Sequence, residues 1–301
     1  MKIYDLKTMQ ECQITESTVV ALGTFDGCHI GHATVFREAF LKAKSLKAKS
    51  LVYTFDTHKS KNAKNILTLD EKLKFIRKSM IDYLAIEEFD SIKELSGQDF
   101  VKGILQDKLK AICGVCGFNY RFGKNASCDC NDLNEFFKKS GGSVVICGEI
   151  KLQGQTISST LVRKLIENGE VEEILAFSPP YSIYAKVLQG KMLGRTIGIP
   201  TINQQIPNDK ICTKRGVYIT ECEIGEDVYP AITNVGTRPT VEENGPENIE
   251  THIIGYDGIL YSSYVRVNFY KRLRDEKKFD SIDELKKQIE SDAQEAIKYF
   301  K

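Results

Sequence analysis

Short apolar runs alternate with longer amphipathic segments in the first part of the chain. Runs with the pattern of buried strands occupy 18–23, 50–55, 111–117 and 143–148. Segments with helical periodicity occupy 31–45, 70–80, 97–109, 131–139 and 159–168. This alternation is typical of a parallel sheet whose strands are connected by helices. We therefore predict a parallel α/β domain over residues 1–178.

The segment 159–168 has the clearest signals for the ends of a helix. Ser158 and Ser159 stand at its start as possible N-caps, and Gly169 follows it as a possible C-cap. A short helical segment, EVEEILAF, then leads to SPPY (178–181). Two adjacent prolines interrupt helix and strand patterns alike, so we place the domain boundary there.

Beyond the prolines the pattern changes to closely spaced strand-like segments separated by turn residues. β-branched and aromatic residues dominate in 181–190, 216–225, 228–236, 247–256 and 260–270. Strands at this spacing, without helices between them, predict a small antiparallel β-barrel. A charged amphipathic helix is predicted after them, at 281–300. The second predicted domain covers residues 182–301.

Composition narrows the classes of partner. The chain has 301 residues and a formal net charge of +1, which gives no electrostatic reason to expect nucleic acid or an anionic membrane. The N-terminal residues lack the apolar centre of a secretory signal, and no apolar run approaches the ~18 residues that a membrane-spanning helix needs. We expect a cytoplasmic protein whose nine cysteines are mostly thiols. None of these patterns indicates an oligomeric state.

Four cysteines lie close together in CGVCG (Cys113, Cys116) and CDC (Cys128, Cys130). Such a CxxC and CxC arrangement can bind zinc. The first pair also lies in a predicted buried strand, where positions i and i+3 point to opposite faces of the sheet. Because a shared metal needs its ligands on one side, we expect no zinc site.

The stretch GTFDGCHIGH (23–32) carries the most specific chemistry. It joins a predicted strand to a predicted helix, and the N–H groups of a helix N-terminus bind phosphate well. Two of the chain's four histidines, His29 and His32, flank Ile30-Gly31. Imidazole donors placed there can stabilise the charge that develops on an α-phosphoryl group and on leaving pyrophosphate. We predict a nucleotide site, against the alternative of a turn glycine between two incidental surface histidines.

Residues 29–32 spell HIGH, which is similar to the nucleotide motif of class I aminoacyl-tRNA synthetases and of adenylyl- and cytidylyltransferases with the same fold. No convincing KMSKS-like loop accompanies it, which favours the transferases. Further segments occur in the order LGTFDGCHIGHATVF, TFD with LTLDEKLKFI, GVCGFNYRFGKN and ISSTLVRKLIENGEVEEI. Together they resemble the adenylyltransferase half of the bacterial bifunctional riboflavin kinase/FMN adenylyltransferases, or FAD synthetases.

This resemblance implies a Rossmann-like nucleotidyltransferase fold and a set of site residues. It implies that His29 and His32 stabilise the adenylyl transition state, and that Asn119 and Asp56 position the flavin. The residues implied to contact ATP are Gly23, Phe25, Asp26, Gly31, Ser159, Thr160 and Arg163. The sequence departs from the usual family pattern at 57–61, which lacks the family's prolines, and at 125–130, which lacks its glycines.

The second half of the chain resembles the riboflavin kinase module, a small β-barrel with a terminal helix. The matching blocks are 190–204, 215–219, 234–240, 247–261 and 272–285. The resemblance implies that Glu250 is the catalytic base, that Thr201 and Asn203 hold the nucleotide and Mg²⁺, and that Arg274 contacts the flavin. The residues implied to cover the ATP phosphates are Gly190, Gly194, Arg195 and Gly198.

The two resemblances together imply an enzyme that phosphorylates riboflavin with ATP to FMN, and then adenylylates FMN with a second ATP to FAD and pyrophosphate. The expected ligands are ATP, riboflavin, FMN and FAD, with Mg²⁺ accompanying ATP. Two alternatives stand beside this hypothesis. One is a riboflavin kinase whose adenylyltransferase domain is weak or inactive, and the other is a flavin-binding regulator that turns over no ATP.

Overall fold

A computed structural model describes residues 1–7, 14–56, 64–189, 198–237 and 247–301. The chain divides into two compact units, Met1–Leu161 and Val162–Lys301. The boundary predicted from the sequence, between residues 178 and 182, lies within the second of these units. It stays a prediction, and an experiment on fragments that addresses it is given below.

The first unit alternates strands and helices. Its strands are β1 (Lys2–Asp5), β2 (Thr18–Leu22), β3 (Lys49–Phe55), β4 (Tyr83–Glu87), β5 (Ala111–Gly117), β6 (Ser143–Cys147) and the short hairpin β7 (Lys151–Leu152) and β8 (Gln155–Thr156). Its helices are α1 (Ile30–Ser45), α2 (Leu69–Arg77), α3 (Phe89–Ile92), α4 (Gly97–Asp99), which continues as a π-helix (Phe100–Lys108), a 3₁₀ turn (Lys124–Ala126) and α5 (Cys130–Lys139). Helix α6 (Ser159–Asn168) crosses into the second unit.

A six-stranded parallel sheet forms the centre of the first unit. Its strand order is β1-β4-β3-β2-β5-β6. From β2 the chain moves outward through β3 to β4, and later returns to the other side of β2 with β5. Ligands of such sheets bind outside the carboxyl ends of the strands at this switch point. The loops after β2 and β5, which contain GTFDGCHIGH and GFNYRFG, therefore meet at one place.

The core lies on both faces of this sheet, as the uniformly buried strand β2 requires. Cys113 packs with Val19, Val35 and Phe36 on one face, whereas Cys116 packs with Leu22 and Phe137 on the other. The prediction that this CxxC pair points to opposite faces is confirmed. In the described part of the chain, no three His, Cys, Asp or Glu side chains are grouped so that they could hold a metal ion.

The second unit is a closed antiparallel barrel with short helices before it and one long helix after it. Its elements are α7 (Val171–Ile174), β9 (Tyr181–Leu188), β10 (Ile202–Gln205), β11 (Gly216–Ile224), β12 (Asp227–Thr237), β13 (Glu247–Ile253), β14 (Tyr264–Arg274) and α8 (Ile282–Tyr299). The strand order around the barrel is β10-β13-β12-β11-β14-β9. Both predicted architectures are confirmed.

Side chains alternate between the inside and the outside of this barrel. Tyr218 and Thr220 of β11 lie inside and are fully buried, and the Thr220 hydroxyl is hydrogen bonded to that of Thr233 at 2.8 Å. Ile219, between them in sequence, lies outside and packs with Ile232 against Ala296 of α8. Helix α8 thus covers an apolar stripe on the outer surface of β11 and β12.

Four of the predicted helices differ from the structure in detail, and one of them is α5, which begins at Cys130 rather than at residue 131. Helix α2 ends at Arg77 rather than at residue 80, and helix α1 begins one residue earlier than predicted. The segment predicted as a helix at 97–109 is mostly π-helix. The predicted caps of α6 are confirmed: the Ser158 hydroxyl accepts a hydrogen bond from Leu161 N at 3.2 Å, and Gly169 has the left-handed φ of +80° that ends a helix.

Candidate active sites

The loop between β2 and α1 is tightly wound and presents the two histidines at the start of the helix. Phe25 and Cys28 have positive φ, and a Cβ on Gly23 would lie 2.8 Å from the Phe25 ring. His29 is the N-cap of α1, and its ring Nδ1 accepts a hydrogen bond from Gly31 N at 3.2 Å. A Cβ on Gly31 would lie 3.0 Å from that ring, so glycine allows the ring to fold back onto the helix.

This hydrogen bond defines the tautomer of His29. Because Gly31 N–H donates to Nδ1, the proton of the neutral ring is on Nε2. Burial lowers the pKa of His29 to about 4. The His32 ring stacks on it at 3.8 Å, and burial, followed by the neighbouring His29, places the pKa of His32 well below its usual value. The pair is therefore neutral at pH 7, and His29 offers an Nε2–H donor.

We expect His29 to remain neutral far below the usual range of histidine in the ligand-free protein. A folded pKa of about 4 means that its ring gains a proton only on acidification well beyond pH 6.5. The shift of the His29 Cε1–H resonance, followed by NMR from pH 7.5 to 4.5 and assigned with a His29→Asn variant, should be almost flat over most of that range. A midpoint near 6.5 would contradict the assigned tautomer and burial.

Asp26 and Ser159 tie the histidine loop to its surroundings. The buried Asp26 carboxylate accepts hydrogen bonds from Ile66 N (2.9 Å) and Leu67 N (3.1 Å), and the Ser159 hydroxyl donates to the Asp26 carbonyl oxygen. Asp26 thus anchors the loop that presents His29. The predicted contact of Asp26 with ATP stays a prediction.

A large cavity joins these residues. It has a volume of about 910 Å³, and His29, Gly31, His32, Ser158, Ser159 and Thr160 line one part of it. Asn119 lines it beyond β5, whereas Asp56 is not among the lining residues described. Arg163 lies one turn further along α6. The structure therefore brings together the histidine motif, the start of α6 and Asn119, which are far apart in sequence.

The other part of the cavity is aromatic. The aromatic residues that line it are Phe55, Phe89, Phe100, Phe118, Tyr120 and Phe122. Tyr120 and Phe122 are stacked at 5.7 Å, and Phe55 meets Phe89 edge to face at 5.4 Å. Aromatic faces of this kind are suited to a flat, conjugated ligand. A volume of this size is at the upper end of what small-molecule sites use.

The loop at the mouth of this aromatic part is strained. Asn125 and Ala126 both have φ of +55°, a left-handed conformation that glycine adopts without strain. These residues lie in the segment where the sequence departs from the glycine-rich family pattern. The residues 57–61, the other departure, lie outside the described part of the chain.

Sequence reasoning missed Lys72. Its side chain is almost completely buried behind the histidine motif, and its Nζ donates to the Phe55 carbonyl oxygen at 3.0 Å. Burial lowers the pKa of Lys72, whereas the neighbouring carboxylates, Asp26 foremost, raise it. The only signal in the sequence was its place in LTLDEKLKFI, because a lysine in an amphipathic helix is ordinarily solvent-exposed.

In the barrel, strand register places three polar residues side by side on the outer surface. Glu250 of β13 is paired with Asn203 of β10 on one side and with Asn234 of β12 on the other. Glu250 is exposed, whereas Asn203 is buried. We call Asn203, Glu250 and Asn234 the polar row. An exposed carboxylate between two amides is a suitable acceptor for the proton of a bound hydroxyl group.

Thr201 lies next to this row and lines a cavity of about 300 Å³ together with Tyr256 and Tyr261. The His252 ring Nδ1 is 2.9 Å from the Pro200 carbonyl oxygen, which ties β13 to the residue before Thr201. Gly198, just upstream, has φ of +78° and is exposed. The predicted loop residues Gly190, Gly194 and Arg195 lie outside the described part of the chain.

Arg274 is engaged with helix α8. Its Nη2 is 2.7 Å from Oδ2 of the buried Asp292, and its Nε is 3.1 Å from the same oxygen. Its Nη1 donates to the Asp275 carbonyl oxygen at 3.1 Å. These contacts give Arg274 a structural task, the attachment of α8 to β14, which the sequence did not reveal.

Replacing Asp292 by asparagine should destabilise the barrel by about 2 kcal/mol, since it leaves a half-buried guanidinium without its carboxylate. The figure is below the value for fully buried pairs because the Arg274 side chain is 23% exposed. The effect can be measured by comparing the temperatures at which the variant and the unmodified protein lose the activity of the barrel. The variant should lose it at a temperature several degrees lower. An unchanged inactivation temperature would contradict the proposed attachment.

The fold places an HxGH motif at a helix N-terminus on a parallel sheet, and an exposed carboxylate between two amides on an antiparallel barrel. These features are those expected of a nucleotide-dependent transferase with two sites. The FAD synthetase family model matches residues 11–161, and the riboflavin kinase model matches residues 177–300. The chain belongs to the bifunctional riboflavin kinase/FMN adenylyltransferase family.

Relatives with that name match over nearly their whole length. The one from Bacillus subtilis is 33% identical and the match covers 94% of this chain and 92% of the relative. The one from Haemophilus influenzae is 30% identical, with 98% and 96% covered. A crystal structure described as a macrolide-efflux protein from Streptococcus pneumoniae is 28% identical, covers 98% of both chains and superposes with a TM-score of 0.85. In the described ranges of this chain, none of the helices is both long and apolar enough to cross a membrane.

Proposed function

We propose that this chain converts riboflavin and ATP to FMN in the barrel, and then FMN and a second ATP to FAD and pyrophosphate in the α/β unit. The observation that supports this most directly is the neutral, stacked His29–His32 pair at the wall of a cavity with an aromatic end. An adenylyl-transfer site for a flavin needs both features, donors for phosphate and flat apolar walls for the ring system.

In the α/β unit, a phosphate oxygen of FMN attacks the α-phosphorus of ATP and pyrophosphate leaves. His29 Nε2–H donates to the oxygen on which charge develops, and the first N–H groups of α1 act in the same direction. Ser159 and Thr160, which begin α6 and line the cavity, are proposed to bind the remaining phosphates of ATP. Asn119 and the aromatic residues orient the flavin. ATP is also proposed to contact the loop residues Gly23, Phe25, Asp26 and Gly31, and Arg163 is the further cation proposed for its phosphates.

In the barrel, the terminal ribityl hydroxyl of riboflavin attacks the γ-phosphorus of ATP. Glu250 accepts the hydroxyl proton as the new oxygen–phosphorus bond forms. Tyr256 and Tyr261, which line the cavity beside Thr201, are proposed to hold the nucleotide base. For Arg274 we propose contact with the flavin side of this site, in addition to its bond to Asp292.

The residues beside Glu250 fit a magnesium ion. Thr201 and Asn203 offer hard oxygen donors next to a carboxylate, the ligand type that Mg²⁺ prefers together with phosphate oxygens. Mg²⁺ bound with ATP would neutralise phosphate charge there. Thr201 and Asn203 would hold it.

A product assay tests the proposal. The full chain is incubated with riboflavin, ATP and Mg²⁺, and in a second reaction with FMN, ATP and Mg²⁺, and the flavins are separated. FMN should form first and FAD next, with pyrophosphate released in the second reaction. FMN without FAD in both reactions would identify a kinase with an inactive adenylyltransferase domain. Flavin binding with no turnover of ATP would identify a regulator.

The fragment 182–301 contains the polar row, and we expect it to phosphorylate riboflavin without the rest of the chain. A fragment that starts at residue 159 should be more stable. The Thr213 hydroxyl donates to the Ile166 carbonyl oxygen at 2.9 Å, and Gly169 packs against Arg272 and Tyr218. Thermal unfolding and FMN formation of the two fragments are compared. A folded but inactive fragment 182–301, beside an active fragment 159–301, would move the functional boundary upstream of SPPY.

A further inference from the structure

The turn between β14 and α8 places a carboxylate against the polar row. Asn234 Nδ2 donates a hydrogen bond to Glu276 Oε1 at 3.0 Å. Glu276 also occupies the space above Gly236, because a Cβ on Gly236 would collide with its Oε1. Gly236 lies within β12 and has no positive φ, so its backbone conformation does not demand glycine. Glycine is favoured at position 236 because the Glu276 carboxylate fills the space that a side chain there would occupy.

The turn that carries Glu276 is held from both sides. The Arg272 guanidinium is bonded to the Asp275 carboxylate, and Arg274 Nη1 donates to the Asp275 carbonyl oxygen at 3.1 Å. Arg274 is in turn fixed by Asp292 of α8. Glu276 is therefore presented to Asn234 from a fixed turn, although its own side chain is exposed.

The hydrogen bond determines the orientation of the Asn234 amide. A carboxylate only accepts hydrogen bonds, so the amide nitrogen faces Glu276 and the carbonyl oxygen Oδ1 is left for another donor. An exposed hydrogen bond of this kind contributes little to stability. Its effect is to select one of the two amide orientations beside Glu250, the register partner of Asn234.

We infer that Asn234 is a further substrate-binding residue of the kinase site and that Glu276 is its positioning residue. This inference rests on the kinase activity proposed above. Asn234 Oδ1 accepts a hydrogen bond from a hydroxyl of the ribityl chain, so that the terminal hydroxyl meets Glu250. Glu276 does not touch the substrate and acts by holding the amide in the orientation that accepts. The ligand class that this pair selects is a flavin with a polyhydroxylated side chain.

The inference is tested by a double-mutant cycle on FMN formation. The variants are Glu276→Ala, Asn234→Ala and the double variant, with Glu276→Gln as the conservative variant and Asp280→Asn as a matched loss of an exposed carboxylate nearby. Glu276→Ala should lower kcat/KM for riboflavin about 10-fold, the value of one well-placed hydrogen bond, and leave the KM for ATP unchanged. Glu276→Gln, whose carbonyl oxygen can still accept from Asn234, should retain most of the activity. Asp280→Asn should match the unmodified protein.

The decisive result is the double variant. If Glu276 acts through Asn234, removing it from the Asn234→Ala protein should cost nothing further. Gly236→Ala, which displaces the Glu276 carboxylate without altering either partner, should reproduce the loss of Glu276→Ala. Additive losses, or a Glu276→Ala protein with unchanged kcat/KM, would overturn the inference. An equal loss of FAD formation from FMN would overturn it too, because it would indicate general damage. Absence of FMN formation by the unmodified chain would instead refute the proposed kinase activity.

Discussion

Replacing His29 and His32 together by alanine is expected to abolish FAD formation from FMN while riboflavin-to-FMN conversion continues. The two rings stack at 3.8 Å at the start of α1, and the variant removes both from the wall of the cavity. Loss of one preorganised donor to a developing oxyanion typically costs about 10²–10³ in turnover. Loss of both should bring FAD formation below detection.

Two controls make this experiment specific. Arg37→Ala changes an exposed residue on the same helix and should leave both activities unchanged. FMN formation by the double variant itself reports on folding, because the proposed kinase residues Thr201, Asn203 and Glu250 lie in the other unit. If the folded double variant lost both activities equally, the assignment of two separate sites would be contradicted.

The second large effect is expected from Glu250→Gln. Glutamine keeps the shape of the side chain between Asn203 and Asn234 but cannot accept a proton as a carboxylate does. Loss of a general base typically lowers turnover by about 10²–10⁴-fold, and we expect a decrease in that range for riboflavin phosphorylation. Binding of riboflavin and ATP should be nearly unchanged. FAD formation from supplied FMN should be unaffected, because a phosphate oxyanion needs no proton removed before it attacks.

Glu226→Gln is the matched control for this variant. Glu226 is exposed in the turn between β11 and β12, away from the polar row, so its replacement should be silent. Unchanged kinase turnover of Glu250→Gln would refute the assignment of the base. His252, two positions along β13, would then be the next candidate, since its Nδ1 is bonded to the Pro200 carbonyl oxygen and its Nε2 is left to act.

The elements that the sequence predicted well are those whose signal is local. Strand β2 and strand β5 are apolar runs that are buried in the sheet, and periodicity identified both. The end signals of α6 are likewise contained in a few consecutive residues. Strands β1 and β10 were missed because they are short and of mixed polarity, whereas β4 was missed although it is a mostly apolar run as long as β2. Pairing with neighbouring strands, such as β10 with β13, stabilises β1 and β10 rather than any pattern of their own.

The candidate residues divide in the same way. The HxGH motif indicated His29 and His32 as candidates, because residue types and their spacing carry that information, whereas only the family resemblance implied Glu250. The sequence could not show that burial keeps His29 neutral and that Gly31 N–H selects its tautomer, since both depend on the folded surroundings of the ring. Nor could it show that Asn203, Glu250 and Asn234 lie in one row, because register is set by pairing across strands that are distant in sequence.

The sequence by itself therefore determined the two architectures, their order and the motifs that belong to each. Only the tertiary structure decided the surroundings of those motifs: the buried Lys72 behind the histidines, the attachment of Arg274 to Asp292, and the contact of Glu276 with Asn234. The physical reason is the range of the forces involved. Hydrophobic periodicity and capping act between neighbours in the chain, whereas desolvation, ion pairing and hydrogen bonding in a site depend on which residues the fold brings together.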